Sequence, residues 1–420
     1  MINIKNVLYM LLFTFISSFL YATESAKDLG IECTVFNVGQ GSGVVIRDKN
    51  TGDSLVVDAG HSGTFEETSP LLKRFNSVVF GGTNPYARGN LRAIAVSHSD
   101  GDHIKLLTRV VKSSSRALKD QNKAGTPTKV YLGSPFHGYC SGEGQKCLDA
   151  LIAVNAIIVP LSHRMTREQI INKTIEEKGV LPFFTNALIP EFSDALRELS
   201  TTILAANMSH GGEGQFLGDV ATPGELEHAI TTTDTQFKGG TNNNGAVVCL
   251  RYKGIKLTLP GDIDGDCTDR IVNATEASFL RTDVSLGLHH GAEHKRTNNT
   301  AWLLQTDSKY IVVSAGENKG HCHPSFSTIF DMAALLRLSE LRVPFHIIQC
   351  GDKGTECKAI SNIKLHAHFC LMPGTNIEEH DVDGFKWMRM YTSLPLFTTV
   401  TSGDIKIVMN ASGELLILKH

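Results

Sequence analysis

One order of features occurs twice along the chain, and any fold must accommodate both copies. In the first, β-like runs at Gly43 to Arg47 and Ser54 to Val57 flank the turn cluster Asp48-Lys49-Asn50-Thr51-Gly52, which predicts a hairpin. The hairpin ends at Asp58-Ala59-Gly60-His61, a helix is predicted over Pro70 to Phe75, and an apolar strand from Leu91 to Ser97 stops at His98. In the second, Ala246 to Tyr252 and Ile255 to Leu259 form a hairpin about Lys253-Gly254 that ends at Gly261-Asp262. A helix over Asp266 to Leu280 and a strand over Asp283 to Leu288 follow, and the strand stops at His289-His290-Gly291. Hairpin, acid, helix, strand, histidine, twice over, predicts a pseudo-duplicated α/β fold with two mixed sheets face to face and helices outside. Function gathers on the loops at strand ends, so His98 and His289 are expected to meet.

The 420 residues carry a formal net charge of −3, with 41% hydrophobic and 20% charged residues, which excludes disordered, collagen-like and coiled-coil chains. A balanced charge also argues against wholesale wrapping of nucleic acid, so any polyanion contact must come from a local patch. Between the two copies, helices are predicted over Thr166 to Lys178 and Pro190 to Leu199, strands over Lys129 to Leu132 and Thr201 to Ala205, and loop over Gly211 to Gly245. After them come a strand (Tyr310 to Ser314), a helix (Ser325 to Leu338), a strand (Phe345 to Gln349) and a hairpin (Ile405 to Leu418) about Asn410-Ala411-Ser412-Gly413.

The N-terminus reads as a targeting segment. Lys5 precedes an apolar run from Val7 to Ala22, after which Thr23-Glu24-Ser25 is polar. The run is shorter than the roughly 20 residues that span a bilayer, so residues 1–22 are expected to be a cleaved signal peptide and the mature chain to be exported, periplasmic or secreted, with no membrane span. In an oxidising compartment some of the nine cysteines should pair. Cys140–Cys147 and Cys350–Cys357 each bracket a short polar loop and are the expected disulfides.

Chemistry concentrates in His98-Ser99-Asp100-Gly101-Asp102-His103, directly after an apolar strand. Grouping two imidazoles and two carboxylates there without a counter-ion would cost on the order of several kcal/mol in desolvation and repulsion. A divalent cation removes that cost, and offsets of two, four and five let one loop feed two adjacent ions. Mixed imidazole and carboxylate donors suit zinc, manganese or iron rather than calcium. Neither a Gly-x-Ser-x-Gly elbow nor a Walker loop is present, and Gly39-x-Gly41-x-Gly43 is too short for a dinucleotide fingerprint.

With these motifs the chain resembles the metallo-β-lactamase fold superfamily, whose first metal motif is His-x-His-x-Asp-His; Asp100 stands here in place of the second histidine. That departure resembles one subgroup, the metallo-hydrolase domain of the bacterial DNA-uptake protein ComEC and its stand-alone relatives. Val38-Gly39-Gln40-Gly41, Asp58-Ala59-Gly60, Asn242-Asn243-Asn244, Leu259-Pro260-Gly261-Asp262, His289-His290-Gly291 and Gly320-His321-Cys322-His323-Pro324 fit the subgroup in the same order. The family's acidic positions flanking Val-Gly-Gln-Gly are Asn37 and Ser42 here, which bears on substrate handling more than on metal binding. The resemblance implies an αββα sandwich in which residues 23–420 form one domain with an insertion at about 125–240. It further implies two divalent ions, zinc or manganese. His98 and Asp100 would hold one, Asp102 and His103 the other, and Asp262 would bridge. One of His289 and His290 would complete a site. Asp58 would orient a motif histidine from behind, with His321 and His323 as weaker neighbours.

Such a centre activates a water for attack on a phosphoryl or carbonyl group. The expected activity is a phosphodiesterase or nuclease. Hydrolysis of an amide, ester or thioester, or a non-catalytic metal-stabilised binding role, are the alternatives. Lys105, Arg109, Lys112 and Arg116 recur at offsets 0, 4, 7 and 11, which predicts one cationic helical face starting two residues after His103. That face would contact the phosphates of a nucleic acid substrate. The sequence leaves the oligomeric state open.

Overall fold

The computed structural model describes residues 29–61, 69–82, 89–134, 136–139, 141–161, 184–206, 242–293, 296–316, 323–336, 345–350, 376–382, 385–392 and 395–419. The leader at 1–22, the helix at 166–178 and most of the loop at 211–245 lie outside them. Two mixed sheets carry the architecture. The first holds β1 (Ile31–Val35), β2 (Gly43–Asp48), β3 (Ser54–Ala59), β4 (Leu91–Val96), β5 (Lys129–Leu132) and β6 (Ile157–Pro160). The second holds β7 (Phe184–Leu188), β8 (Leu199–Ala205), β9 (Val247–Tyr252), β10 (Ile255–Leu259), β11 (Val284–Leu286) and β12 (Tyr310–Val313). Strands β13 (Phe345–Cys350), β14 (Asn376–Val382) and β15 (Phe385–Thr392) make a separate small sheet, β16 (Leu396–Thr398) joins the second, and β17 (Ile405–Met409) and β18 (Leu415–Lys419) join the first.

Strand order is β18-β17-β1-β2-β3-β4-β5-β6 in one sheet and β16-β12-β11-β10-β9-β8-β7 in the other. The duplicated order of the sequence is visible in the pairing. The β2–β3 hairpin steps to a parallel β3–β4 pair, and the β9–β10 hairpin to a parallel β10–β11 pair. The helices are α1 (Pro70–Phe80), α2 (Gly101–Ser113), α3 (Ser115–Lys123), α4 (Gly142–Ala153), α5 (Gly265–Ala274), α6 (Ala277–Leu280), α7 (Thr300–Thr306), α8 (Phe326–Leu336) and α9 (Thr399–Ser402).

Near-continuous apolar runs such as Leu55-Val56-Val57 arise because the first sheet is covered on both faces. Val44, Ile46, Leu55, Val57, Ala93 and Ala95 pack between the two sheets. Their neighbours Val45, Val56, Ile94 and Val96 point the other way and pack with Phe75 of α1, Leu107 and Val110 of α2 and Leu148 of α4. Helix α1 shows local coding at both ends. Ser69 caps it by accepting from Leu72 N at 3.2 Å, Pro70 opens it, and Gly81 closes it at φ 81°.

Several expectations need correction. The stretch from Pro190 to Leu199 is not an α-helix: Asp194 Oδ1 accepts from Leu196 N and Arg197 N, which tightens it into two short 3-10 turns before β8. The helix over Asp266 to Leu280 is two, α5 and α6. The expected hairpin at Ile405 to Leu418 is present as β17–β18, and it also extends the first sheet by pairing with β1. A Cys140–Cys147 disulfide is not formed. Cys147 is a free thiol on the buried face of α4, where it packs with Leu107 and Val110 while Cys140 lies outside the described residues. Burial pushes its thiol up to about 12, against the pull of a hydrogen bond from Thr108. Cys357 and the Cys350 side chain also fall outside the described residues. No helix among the described residues is long and apolar enough to cross a membrane.

Candidate metal centre

The chain's two parallel steps deliver the site. Asp58 lies near the end of β3, His98 two residues past β4, Asp262 three past β10, and His289 three past β11. Ligands gather at such carboxyl ends in open α/β sheets. The two ends are stitched together through backbone, Ala246 N donating to Ser97 O at 2.9 Å and Ser134 N to Asn244 O at 2.9 Å; within the second, His289 N donates to Gly261 O at 3.0 Å.

The first loop is held from below by glycines. Ser42 N donates to the Asp102 carbonyl at 3.0 Å, and Gly60 N to Ser42 O at 2.7 Å. A Cβ at Gly60 would stand 1.4 Å from the Asp102 carbonyl oxygen, so only glycine admits this approach. The second loop is strained. His289 and His290 sit at φ 47° and 55°, a region that costs L-residues about 1–3 kcal/mol each. Asn298 over-determines this turn, accepting from Leu288 N at 2.9 Å and donating to Leu288 O at 2.9 Å. In extended backbone two successive side chains diverge; here the left-handed turn aims both imidazoles at one carboxylate.

That carboxylate is Asp262, 3% exposed. Its Oδ2 lies 3.2 Å from His103 Nε2, 3.4 Å from His290 Nε2, 3.6 Å from His289 Nε2 and 3.9 Å from His98 Nε2. Around it the donors fall into two groups. Asp102, His103, Asp262 and His290 place their ligand atoms within 4.8 Å of one another, as a metal-binding set requires. On the other side His98 Nε2 lies 3.6 Å from Asp100 Oδ2. It is fully buried and has no hydrogen-bond partner, an arrangement that costs about 1–3 kcal/mol unless something else satisfies the lone pair. A bare imidazole nitrogen directed at two carboxylates fits a cation ligand.

Hydrogen bonds behind the cluster orient the rings. His103 Nδ1 is 2.8 Å from Asp58 Oδ2, and His290 Nδ1 is 2.8 Å from the Ser314 carbonyl. Asp58 itself sits at φ 54° and accepts from Ser97 N and Ser97 Oγ, both at 2.7 Å. Electrostatics follow from this crowding. Burial would raise Asp262, but His103, His290 and His289 hold it well below the usual carboxylate range. Asp102 is likewise held low against burial, by His290 and then His103. Burial pulls His290 down, yet Asp262 and Asp102 bring it up to about 10; Asp262 and Asp58 raise His103 well above the ordinary imidazole. Burial lowers His98 and His289. A cation would take the place of the protons on His103 and His290, so its affinity should fall with acid.

The structure thus brings His98, Asp100, Asp102, His103, Asp262, His289 and His290 together with Asp58 behind them. Both histidines of the His289-His290 pair reach Asp262. His323 adds a neighbour, its ring centroid 5.6 Å from that of His289, while His321 lies outside the described residues. The cationic face is not continuous. At Ser114 the backbone leaves helical values (φ −107°, ψ 13°) and ends α2, although its amide still makes the helical bond to Val110 O at 3.1 Å. Arg116 therefore lies in a separate helix, α3. Lys105 and Arg109 are half-buried along α2, and Lys112 is exposed. Ser97 and Ser314, unremarkable in sequence, are the contacts that sequence reasoning missed; only the position of Ser97, immediately before His98, could have signalled it.

No family model and no curated protein matches the chain. Among solved structures, zinc-bound PqqB from Methylobacterium extorquens is 13% identical at a TM-score of 0.28, covering 60% of this chain and 71% of that one. Unliganded yeast PDE1 is 10% identical at 0.34, covering 74% and 94%. A protein of unknown function from Enterococcus faecalis V583 is 12% identical at 0.25, covering 61% and 49%. At such scores the chemistry must be read from the site itself.

Proposed function

We propose that the chain is an exported metal-dependent hydrolase that holds two divalent cations, zinc or manganese, and cleaves phosphodiesters, with nucleic acid as the substrate class. The observation that carries this reading is Asp262 Oδ2 within 3.2 to 3.9 Å of four imidazole Nε2 atoms, one carboxylate shared by two donor groups. Ions bound there supply a nucleophilic water and offset charge on the oxyanion. The residues do the rest. Asp102, His103 and His290 would hold one ion and His98, Asp100 and His289 the other, with Asp262 lying between the two groups. Lys105 and Arg109, on the same helix as His103, orient substrate phosphate. Export is supported by the leader-like segment at 1–22, and a nucleic acid substrate by the resemblance of its sequence motifs to those of the ComEC domain.

The deciding experiment loads the mature protein with Mn²⁺ or Zn²⁺ and assays single- and double-stranded DNA, bis-p-nitrophenyl phosphate and a chromogenic lactam. Phosphodiester turnover with about two ions per chain is the expected outcome. Turnover of the lactam alone would move the activity to amide, ester or thioester hydrolysis, and full loading with no turnover would leave a metal-stabilised binding protein.

A further inference from the structure

Ser97 joins the two halves of the centre from behind. Its Oγ lies 2.7 Å from Asp58 Oδ2, 3.0 Å from His98 Nδ1 and 3.1 Å from His103 Nδ1. Two ring nitrogens from opposite donor groups and one carboxylate oxygen thus meet a single hydroxyl, which has one proton to give and two lone pairs to receive with. A carboxylate can only accept, so the hydroxyl proton belongs to Asp58, which is also the shortest of the three contacts. His103 Nδ1–H is held by Asp58 Oδ2 directly, at 2.8 Å. What remains for His98 Nδ1 is a lone pair of the Ser97 oxygen, to which it must donate.

We propose that Ser97 is a positioning residue that fixes His98 as the Nδ1–H tautomer, so that one buried carboxylate, Asp58, sets the ligand lone pairs on both sides of the centre: His103 by direct contact and His98 through the Ser97 hydroxyl. The consequence is visible at the far side of the ring. With the proton on Nδ1, Nε2 keeps its lone pair, and this is the buried atom that makes no hydrogen bond and lies 3.6 and 3.9 Å from Asp100 and Asp262. Were the proton on Nε2, two carboxylate oxygens would stand ready to accept it. The Ser97 hydroxyl withholds that arrangement by offering an acceptor at Nδ1. Ser97 is itself held rigidly: it is 1% exposed, its amide donates to Asp58 Oδ1 at 2.7 Å, and its carbonyl accepts from Ala246 N at 2.9 Å. This role rests on the two-cation reading proposed above, but its first signature is a property of the metal-free chain.

The test is Ser97→Ala beside Ser97→Thr, read by imidazole ¹⁵N shifts of the metal-free protein and by chelator-competition titration with Zn²⁺ and Mn²⁺. In the wild type and in Ser97→Thr, which keeps a hydroxyl, His98 should show a protonated Nδ1 and a bare Nε2. In Ser97→Ala the proton should move to Nε2. The affinity of one of the two ions should then fall by about 10–100-fold, the cost of losing an outer hydrogen-bond partner, while the ion on the His103 side changes little. An unchanged His98 pattern in Ser97→Ala overturns the proposal, as does equal loss at both ions with a lowered melting temperature, which would make Ser97 a support of the loop. Failure of the wild type to bind either metal would instead reject the two-cation reading, while the tautomer pattern would still decide the role of Ser97.

Discussion

Asp262 is the residue whose loss should cost most. Replacing it with Ala removes the shared carboxylate and leaves four imidazoles without the group that separates them. Metal affinity should fall by more than the roughly 10–100-fold lost with an outer hydrogen-bond partner, and turnover should vanish. Elemental analysis of the dialysed variant checks the first, and retained metal with full activity would exclude a bridging role. Gly60 makes a second prediction. In Gly60→Ala the new methyl meets the Asp102 carbonyl, so the metal loop must move; a stability loss of about 1–3 kcal/mol by urea unfolding should accompany weaker metal binding. At this scale the sequence was informative where ligands cluster in one loop, as at 98–103. It could not choose between His289 and His290, because periodicity assumes extended or helical backbone, and two consecutive left-handed residues obey neither.

Elements explain which parts of the fold were legible. Both hairpins, both parallel steps and the terminal histidines could be read because turn residues and apolar runs mark them locally. The break at Ser114 could not. A continuous helical periodicity runs through Lys105, Arg109, Lys112 and Arg116, but the backbone turns away from helical values at Ser114, φ −107° and ψ 13°, which residue spacing does not encode. This changes the prediction for nucleic acid. Lys112 shares a rigid helix with Asp102 and His103, whereas Arg116 does not. Changing Arg109 and Lys112 together to Ala should raise KM on DNA and flatten the salt dependence by about 0.9 per lost contact on duplex, or about 0.7 on single strands. Arg116→Ala should alter the slope less. A slope that stays fixed in the double variant would mean this face is merely solvated. The same limit of local signals applies to Cys147. Its spacing from Cys140 suggested a staple, but the helical period turns the thiol into the core beneath the first sheet. Alkylation should leave it unmodified until the protein is unfolded.

Across the whole molecule, the sheets depend on contacts far apart in sequence, and these were illegible for that reason. Pairing of β17 with β1 joins residues from Val35 and Ile405 to Ile31 and Met409, partners at least 370 positions apart. A second long-range link joins the two sheets themselves. Arg197, in the turn before β8, forks onto Asp48 at the end of β2, with Nη1 donating to Oδ1 at 3.0 Å and Nη2 to Oδ2, while its Nε donates to Asp194 at 2.7 Å. Burial would raise the Asp48 carboxyl, but the Arg197 hydrogen bonds and the Asn50 amide outweigh it and leave it below its ordinary value. A carboxyl lowered on folding contributes stability above its unfolded pKa of about 3.9, and that contribution disappears as pH falls through the lower, folded value. Arg197→Met should therefore cost about 1.5–3 kcal/mol at neutral pH, the range for a hydrogen bond to a charged group. The gap between variant and wild type should stay constant down to about pH 5 and close below the unfolded pKa, as Asp48 takes up a proton in both states. Urea unfolding across that range measures the gap directly. If it persists undiminished in acid, Arg197 joins the sheets by packing its aliphatic stem and not by charge.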